Sequence, residues 1–159
     1  MKHRELARWL KLLAILSGIV ILFLAFLLVP NVAKEMALTR TKYAHLQMPF
    51  NLFVWVSVIP FMLSLLNAWK IFNQIGQDNS FSKQNAHYLT NISRLSLIEL
   101  VYYFIGIILL LVFNLLHPPI IIAMAVVIFI AFALSIITAA LSHLVNKAAE
   151  IKDENDLTV

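Results

Sequence analysis

Four long apolar stretches, three of them free of charge and one interrupted once, limit what this chain can become. The first runs from Leu12 to Val29 and is closed by Pro30 and Asn31. The second runs from Phe50 to Trp69 and is closed by Lys70. The third, Leu95 to Leu116, is interrupted only by Glu99, and the fourth opens at Pro118-Pro119 and stays uncharged to Asn146. A helix needs about 20 apolar residues to cross the hydrocarbon core, so each run is a candidate span. A chain of 159 residues that is 62% hydrophobic and 13% charged has too little polar surface to enclose four such runs in water. The predicted fold is therefore all-α: an integral membrane four-helix bundle of two antiparallel hairpins, a single domain over residues 1–159. The spans are expected near 10–30, 50–70, 94–116 and 118–146.

Lys2, Arg4, Arg8 and Lys11 precede the first run, as in a signal peptide. A signal core is shorter, about 7–15 residues, and ends at a small-residue cleavage site. The eighteen residues here lead to no such site near Ala33, which predicts an uncleaved first span. Pro60 lies mid-way along the second run. Proline strips the Val56 carbonyl of its donor, so a kink is expected there, with Ser57 and Ser64 close enough to repair the ladder. Pro118 and Pro119 suit the first turn of a helix and leave almost no loop between the third and fourth spans. Sidedness follows from cation counts. Lys2, Arg4, Arg8, Lys11, Lys70, Lys83, Arg94, Lys147 and Lys152 fall on one side, and Lys34, Arg40 and Lys42 on the other. Nine against three predicts both termini and the loop 71–93 in the cytoplasm, with the tail 147–159. The formal net charge of +4 then reads as contact with anionic lipid and gives no ground for direct nucleic-acid binding.

Within the loop, Gly76-Gln77-Asp78-Asn79-Ser80 is turn-forming. Ser80 or Ser82 is placed to cap a following helix. Phe81, Tyr88, Leu89, Ile92 and Leu95 recur at helical spacing. They predict an amphipathic helix lying on the inner leaflet; the alternative is a plain extension of the third span. The acidic tail, with Glu150, Asp153, Glu154 and Asp156, is either solvated or set against the basic N-terminal arm. Small residues let helices approach closely in lipid. The expected packing faces are Ala14, Ser17, Gly18 and Ala25 on the first span and Ala131, Ser135, Ala139 and Ser142 on the fourth. They serve either the bundle or a homo-oligomer.

Glu99 is the one acidic residue inside a span, and it shares a helix side with Ser96, Tyr103 and Gly106. A carboxylate costs about 2.5–3.5 kcal/mol at the bilayer centre, and Glu99, four residues or about 6 Å of rise past Leu95, is shallower, so it is expected to face the bundle, snorkel toward the inner surface or be protonated. Glu99 and Tyr103 therefore form a candidate intramembrane polar site, either a proton or cation site or a structural partner of Arg94, Lys70 or His143. No two of the five histidines stand three or four apart, and there is no cysteine. No nucleophile elbow, phosphate loop or metalloprotease motif occurs. The expectation is a protein that is not an enzyme and has neither cofactor nor metal.

Phe81-Ser82, Asn85, Leu89 and Ile92, and the closing Glu154-Asn155-Asp156-Leu157-Thr158-Val159, resemble a bacterial membrane family of unknown function, DUF2975. The span order and chain length match as well. The resemblance implies a multi-pass protein of the bacterial cell membrane, of a kind commonly encoded beside a small helix-turn-helix regulator, and so a cytoplasmic regulatory protein as partner. Phe81, Ser82, Asn85, Asp156, Leu157 and Thr158 lie outside the lipid and are not needed for insertion. They are the candidate docking residues for that partner, or else helix caps. Three functions stay open: an accessory or regulatory protein, a small transport or permeation component using Glu99, and a structural assembly subunit.

Overall fold

The computed structural model describes residues 3–39, 45–115 and 117–157. Four helices long and apolar enough to cross a membrane carry the chain, and no strand occurs among the described residues. The first is compound: α1 (His3–Phe23), a π-helical turn at Leu24–Leu28, then α2 (Val29–Thr39). It is followed by α3 (Gln47–Gly76), α4 (Lys83–Val112) and α5 (Pro118–Leu157). Pro30 does not end the first helix, as the sequence suggested. The wider π turn before it makes room for the ring, and the helix runs on past Asn31.

That turn strands one carbonyl. In an α-helix the Ala25 oxygen would take the N–H of Val29, but here Val29 donates to Leu24 O. The next residue up is Pro30, which has no N–H. The indole Nε1 of Trp55, on α3, donates to Ala25 O at 3.0 Å, and Trp55 stacks on Phe26 with ring centroids 5.6 Å apart. α3 continues unbroken through Pro60. Ser64 Oγ donates to Pro60 O at 2.9 Å, whereas Ser57 Oγ donates to Val54 O, so neither hydroxyl repairs the Val56 carbonyl.

Close backbone approach runs between consecutive spans: α1 on α3, α3 on α4, α4 on α5. The buried residues explain the seams. On α1 they are Ala7, Ala14 and Gly18, followed by Ala25 in the π turn, in steps of seven or four. This is the repeat of helices packed at a shallow left-handed angle. Gly18 leaves room for Leu65, and Gly76 for Ala7. On α5, Met124, Ala131, Thr138, Ser142 and Ala149 are buried. Ala139, expected on this face, is exposed, and Thr138 holds its place. Two successive steps of four carry a side chain about 80° round the helix, so the seam needs a step of three after Ser135.

Hydroxyls zip α4 to α5. Ser93 Oγ donates to Ser135 O at 2.9 Å and Ser135 Oγ returns to Ser93 O at 3.1 Å. Ser142 Oγ donates to Ala86 O at 2.7 Å and lies 2.8 Å from Thr90 Oγ1. Small polar residues are favoured between helices in lipid because they pack closely and satisfy each other. At Gly106 neighbouring side chains fill the space a Cβ would need: it would stand 2.6 Å from Phe53 Cζ and 2.7 Å from Met124 Cε.

Both ends of α4 are built by local signals. Ser82 Oγ accepts from Asn85 N at 3.2 Å and starts the helix. At its far end Asn114 takes the left-handed conformation with φ 53°, Asn114 N donates to Leu111 O and Leu115 N to Leu110 O. Asp78, φ 59°, closes α3 in the same way. α4 is one continuous helix of 30 residues, about 45 Å long, and stays against its neighbours to its first turn. Of the two forms expected, it takes the plain extension of the third span and not a helix lying flat on a leaflet, with Lys83 paired to Asp153 of α5 and Gln84 to Gln74 of α3.

Candidate functional site

Two places gather polar side chains. The first lies where α4 faces α3 inside the apolar stretch. Ser57 is buried, and its Oγ is 3.0 Å from the Tyr103 hydroxyl. Tyr102, one residue back, donates to Phe53 O at 2.9 Å and stacks on the Phe53 ring, centroids 4.4 Å apart. Phe53 also meets the Tyr103 ring edge-on. These contacts fix both tyrosines. Glu99 is one turn below Tyr103, beside the Ser57 hydroxyl, and its buried Oε2 has no hydrogen-bond partner among the described residues. It makes no ion pair among the described residues. Arg94, offered by the sequence as a partner, is five residues back and so about 140° round the helix, and it is exposed. Lys70 is held 5.3 Å over the Tyr88 ring, and His143 is exposed.

The second place is the end of the molecule that carries most of the Lys and Arg. Asn85 is 1% exposed; its Nδ2 donates to Asn79 O at 3.1 Å and to Ser80 O at 2.9 Å. Its Oδ1 is buried and has no hydrogen-bond partner among the described residues. Asn79 donates to Gln74, Gln74 to Gln84 and Gln84 to Tyr88 in one chain of side-chain amides. These bonds hold the α3–α4 turn as a rigid tip, with Phe81 59% exposed at its apex. His3 Nε2 lies 3.5 Å from Asp78, and Lys83 Nζ 2.7 Å from Asp153 Oδ2. The hydrogen bond to Asp153 raises the pKa of Lys83 above the ordinary lysine value. N-terminus, turn and tail are thereby gathered at one end. The acidic tail thus meets Lys83 at the start of α4.

Phe81, Ser82 and Asn85 are therefore together, but Ser82 and Asn85 are spent on the cap and the turn. Asp156 and Leu157 lie in the last turn of α5. Thr158 lies outside the described residues. Nothing in the sequence marks the Gln74–Gln84 pair, since amides ten residues apart carry no spacing signal, or Ser57 as partner to Tyr103 across 46 residues.

At the other end, a cavity of about 300 Å³ opens between α3, α4 and the start of α5. Phe50, Leu110, Phe113, Ile120 and Met124 line it, with Gln47 and His117 as its polar edge.

A stack of consecutive membrane-crossing helices, zipped by hydroxyls and tipped by a rigid turn, defines a small helical membrane protein. Residues 31–159 match the family described as "Protein of unknown function (DUF2975)", and the chain belongs to that family. It is 33% identical over 156 residues to the "Uncharacterized membrane protein YoaS" of Bacillus subtilis (strain 168), covering 95% of this chain and 96% of that one. No solved structure matches.

Proposed function

We propose that this is a non-enzymatic accessory protein of a bacterial cell membrane, whose basic end docks a cytoplasmic protein through the Phe81 tip. The observation that carries this reading is the exposure of Phe81 on a turn whose Asn79 and Ser80 carbonyls are held by Asn85 and whose Ser82 caps α4. An aromatic side chain held rigidly in place loses little entropy on binding, which is why such residues dominate interface energetics. Asn85 and Ser82 act in this scheme as the frame, and Lys83 with Asp153 brings the tail alongside. A helix-turn-helix regulator is the partner class that the family resemblance implies.

The test compares the tagged full-length protein with its Phe81→Asp variant, each extracted from native cells in mild detergent after cross-linking. Quantitative mass spectrometry should find a soluble protein retained by the parent and depleted about tenfold or more from the variant, the effect of losing one aromatic anchor. Equal recovery from both, or no protein enriched over a control membrane protein, would refute the reading.

A further inference from the structure

The Glu99 cluster is independent of the docking tip and supports a separate conclusion. A carboxyl within an apolar span must be met by something, because an isolated ionised carboxylate is among the costliest groups to bury. Among the described residues no permanent charge meets this one. The apolar stretch of α1 and its π turn is uncharged from Leu12 to Val29, α3 from Phe50 to Trp69, and α5 from Pro118 to Asn146 except for the exposed imidazole of His143. On α4 itself the titratable neighbours are Tyr102 and Tyr103, both already hydrogen-bonded, and the exposed Arg94 on another face.

What faces Glu99 instead is a pair of hydroxyls that can reverse. Ser57 donates to Val54 O at 2.9 Å and lies 3.0 Å from Tyr103, where either oxygen can be the donor. With a neutral carboxyl, the acid O–H donates toward the Ser57 hydroxyl. With a carboxylate, the Ser57 hydroxyl turns to donate to it and accepts from Tyr103. Both states are accommodated by rotating hydroxyls alone. A metal cation fits less well, since hard cations collect about six to eight oxygens and this cluster offers one carboxylate and two hydroxyls.

We propose that Glu99 is a reversible proton-binding site set inside the membrane, with Ser57 and Tyr103 as its switching hydrogen-bond partners. The step is a transfer from hydronium to the carboxylate, giving the carboxylic acid and water, and its reverse. Glu99 lies only four residues, about 6 Å of helix rise, above Leu95, so protons reach it from the basic end. The protein would thus respond to proton concentration on that side.

Infrared difference spectroscopy on the full-length protein in lipid nanodiscs tests this directly. The parent should show a protonated-carboxyl C=O band that bleaches as pH is raised, and Glu99→Gln should remove it. Glu99→Asp should keep a titrating band, which separates loss of the site from loss of the fold. Ser57→Ala and Tyr103→Phe should each retain the band but move its frequency or midpoint. Exchanging choline for sodium or potassium should leave the titration in place. A band that never titrates, a parent spectrum identical to that of Glu99→Gln, or a midpoint displaced by sodium would each overturn the proposal.

Discussion

Trp55 and Gly106 show how single residues join spans that share no charge. The Ala25 carbonyl has lost its α-helical donor to the π turn and its π-helical donor to Pro30, and Trp55 supplies the replacement. Trp55→Phe keeps the ring and removes that donor. It should destabilise the protein by about 0.5–2 kcal/mol, the span from double-mutant cycles to model peptides for hydrogen bonds between helices in lipid. Pro30→Ala restores a backbone N–H, so the same substitution should cost measurably less in that background. A double-mutant cycle by unfolding in mixed micelles reads the difference, and additivity would show that the indole is not substituting for the backbone. At Gly106, alanine places a methyl group within 2.6 Å of Phe53. The overpacking should cost about 1–3 kcal/mol in the same assay, and Phe53→Leu should recover part of it. Gly106 was legible in the sequence as part of the face it shares with Ser96, Glu99 and Tyr103, but its contact with Phe53 was not, and Trp55 carried no signal at all. Pro30 was visible, but which carbonyl it frees depends on a helical register that is set three-dimensionally, and its partner is 30 residues away.

At the scale of the elements, what the sequence made plain and what it hid divide along a physical line. The apolar runs announced the helices because lipid demands length and neutrality, and those show in one dimension. The seams were half legible. Ala14, Gly18 and Ala25 lie buried as their spacing suggested, while Ala139 was placed on a face that Thr138 occupies. Alanine is small enough for either side of a helix in lipid, so composition alone does not orient it. The difference has a consequence: Ser135→Leu should break the α4–α5 seam and lower the thermal midpoint in detergent, while Ala139→Leu should leave it nearly unchanged. The Lys83–Asp153 pair closes that seam at its exposed end. A lysine whose pKa is raised in the folded protein contributes stability below the unfolded value and loses it only as pH rises through the folded one. Between neutral and mildly alkaline pH the pair should hold, and added salt is what should loosen it. Amide exchange across residues 147–155, corrected for intrinsic rates, should quicken with sodium chloride in the parent and be salt-insensitive in Lys83→Ala.

For the whole molecule, four crossings and their two hairpins were legible because apolar length is expensive to hide and the connections are short, but the close packing of α3 on α4 that joins the hairpins was not. Small faces on the first and fourth spans look mutually complementary in sequence, yet each is taken by its own sequence neighbour, as Gly18 is by Leu65 and Ser135 by Ser93. Sidedness belongs to this scale too, because it is a property of all twelve cations together. Inserted chains retain Lys and Arg on the cytoplasmic side, and of the nine cations among the described residues all but Lys34 lie toward the end where His3, the α3–α4 turn and Asp153 come together. The absence of cysteine makes the point accessible to measurement, since any thiol is one that has been introduced. Leu38 is 78% exposed on α2 at the opposite end, and Ile151 is 53% exposed near the tail. A membrane-impermeant maleimide should label Leu38→Cys in intact cells, and should label Gln77→Cys and Ile151→Cys only after permeabilisation. The reverse pattern would invert the molecule in its membrane and remove the docking tip from the cytoplasm while leaving every helix contact as it stands. Labelling of Gln77→Cys and Ile151→Cys from opposite faces would instead require an odd number of crossings between them, which α4 and α5 together do not provide.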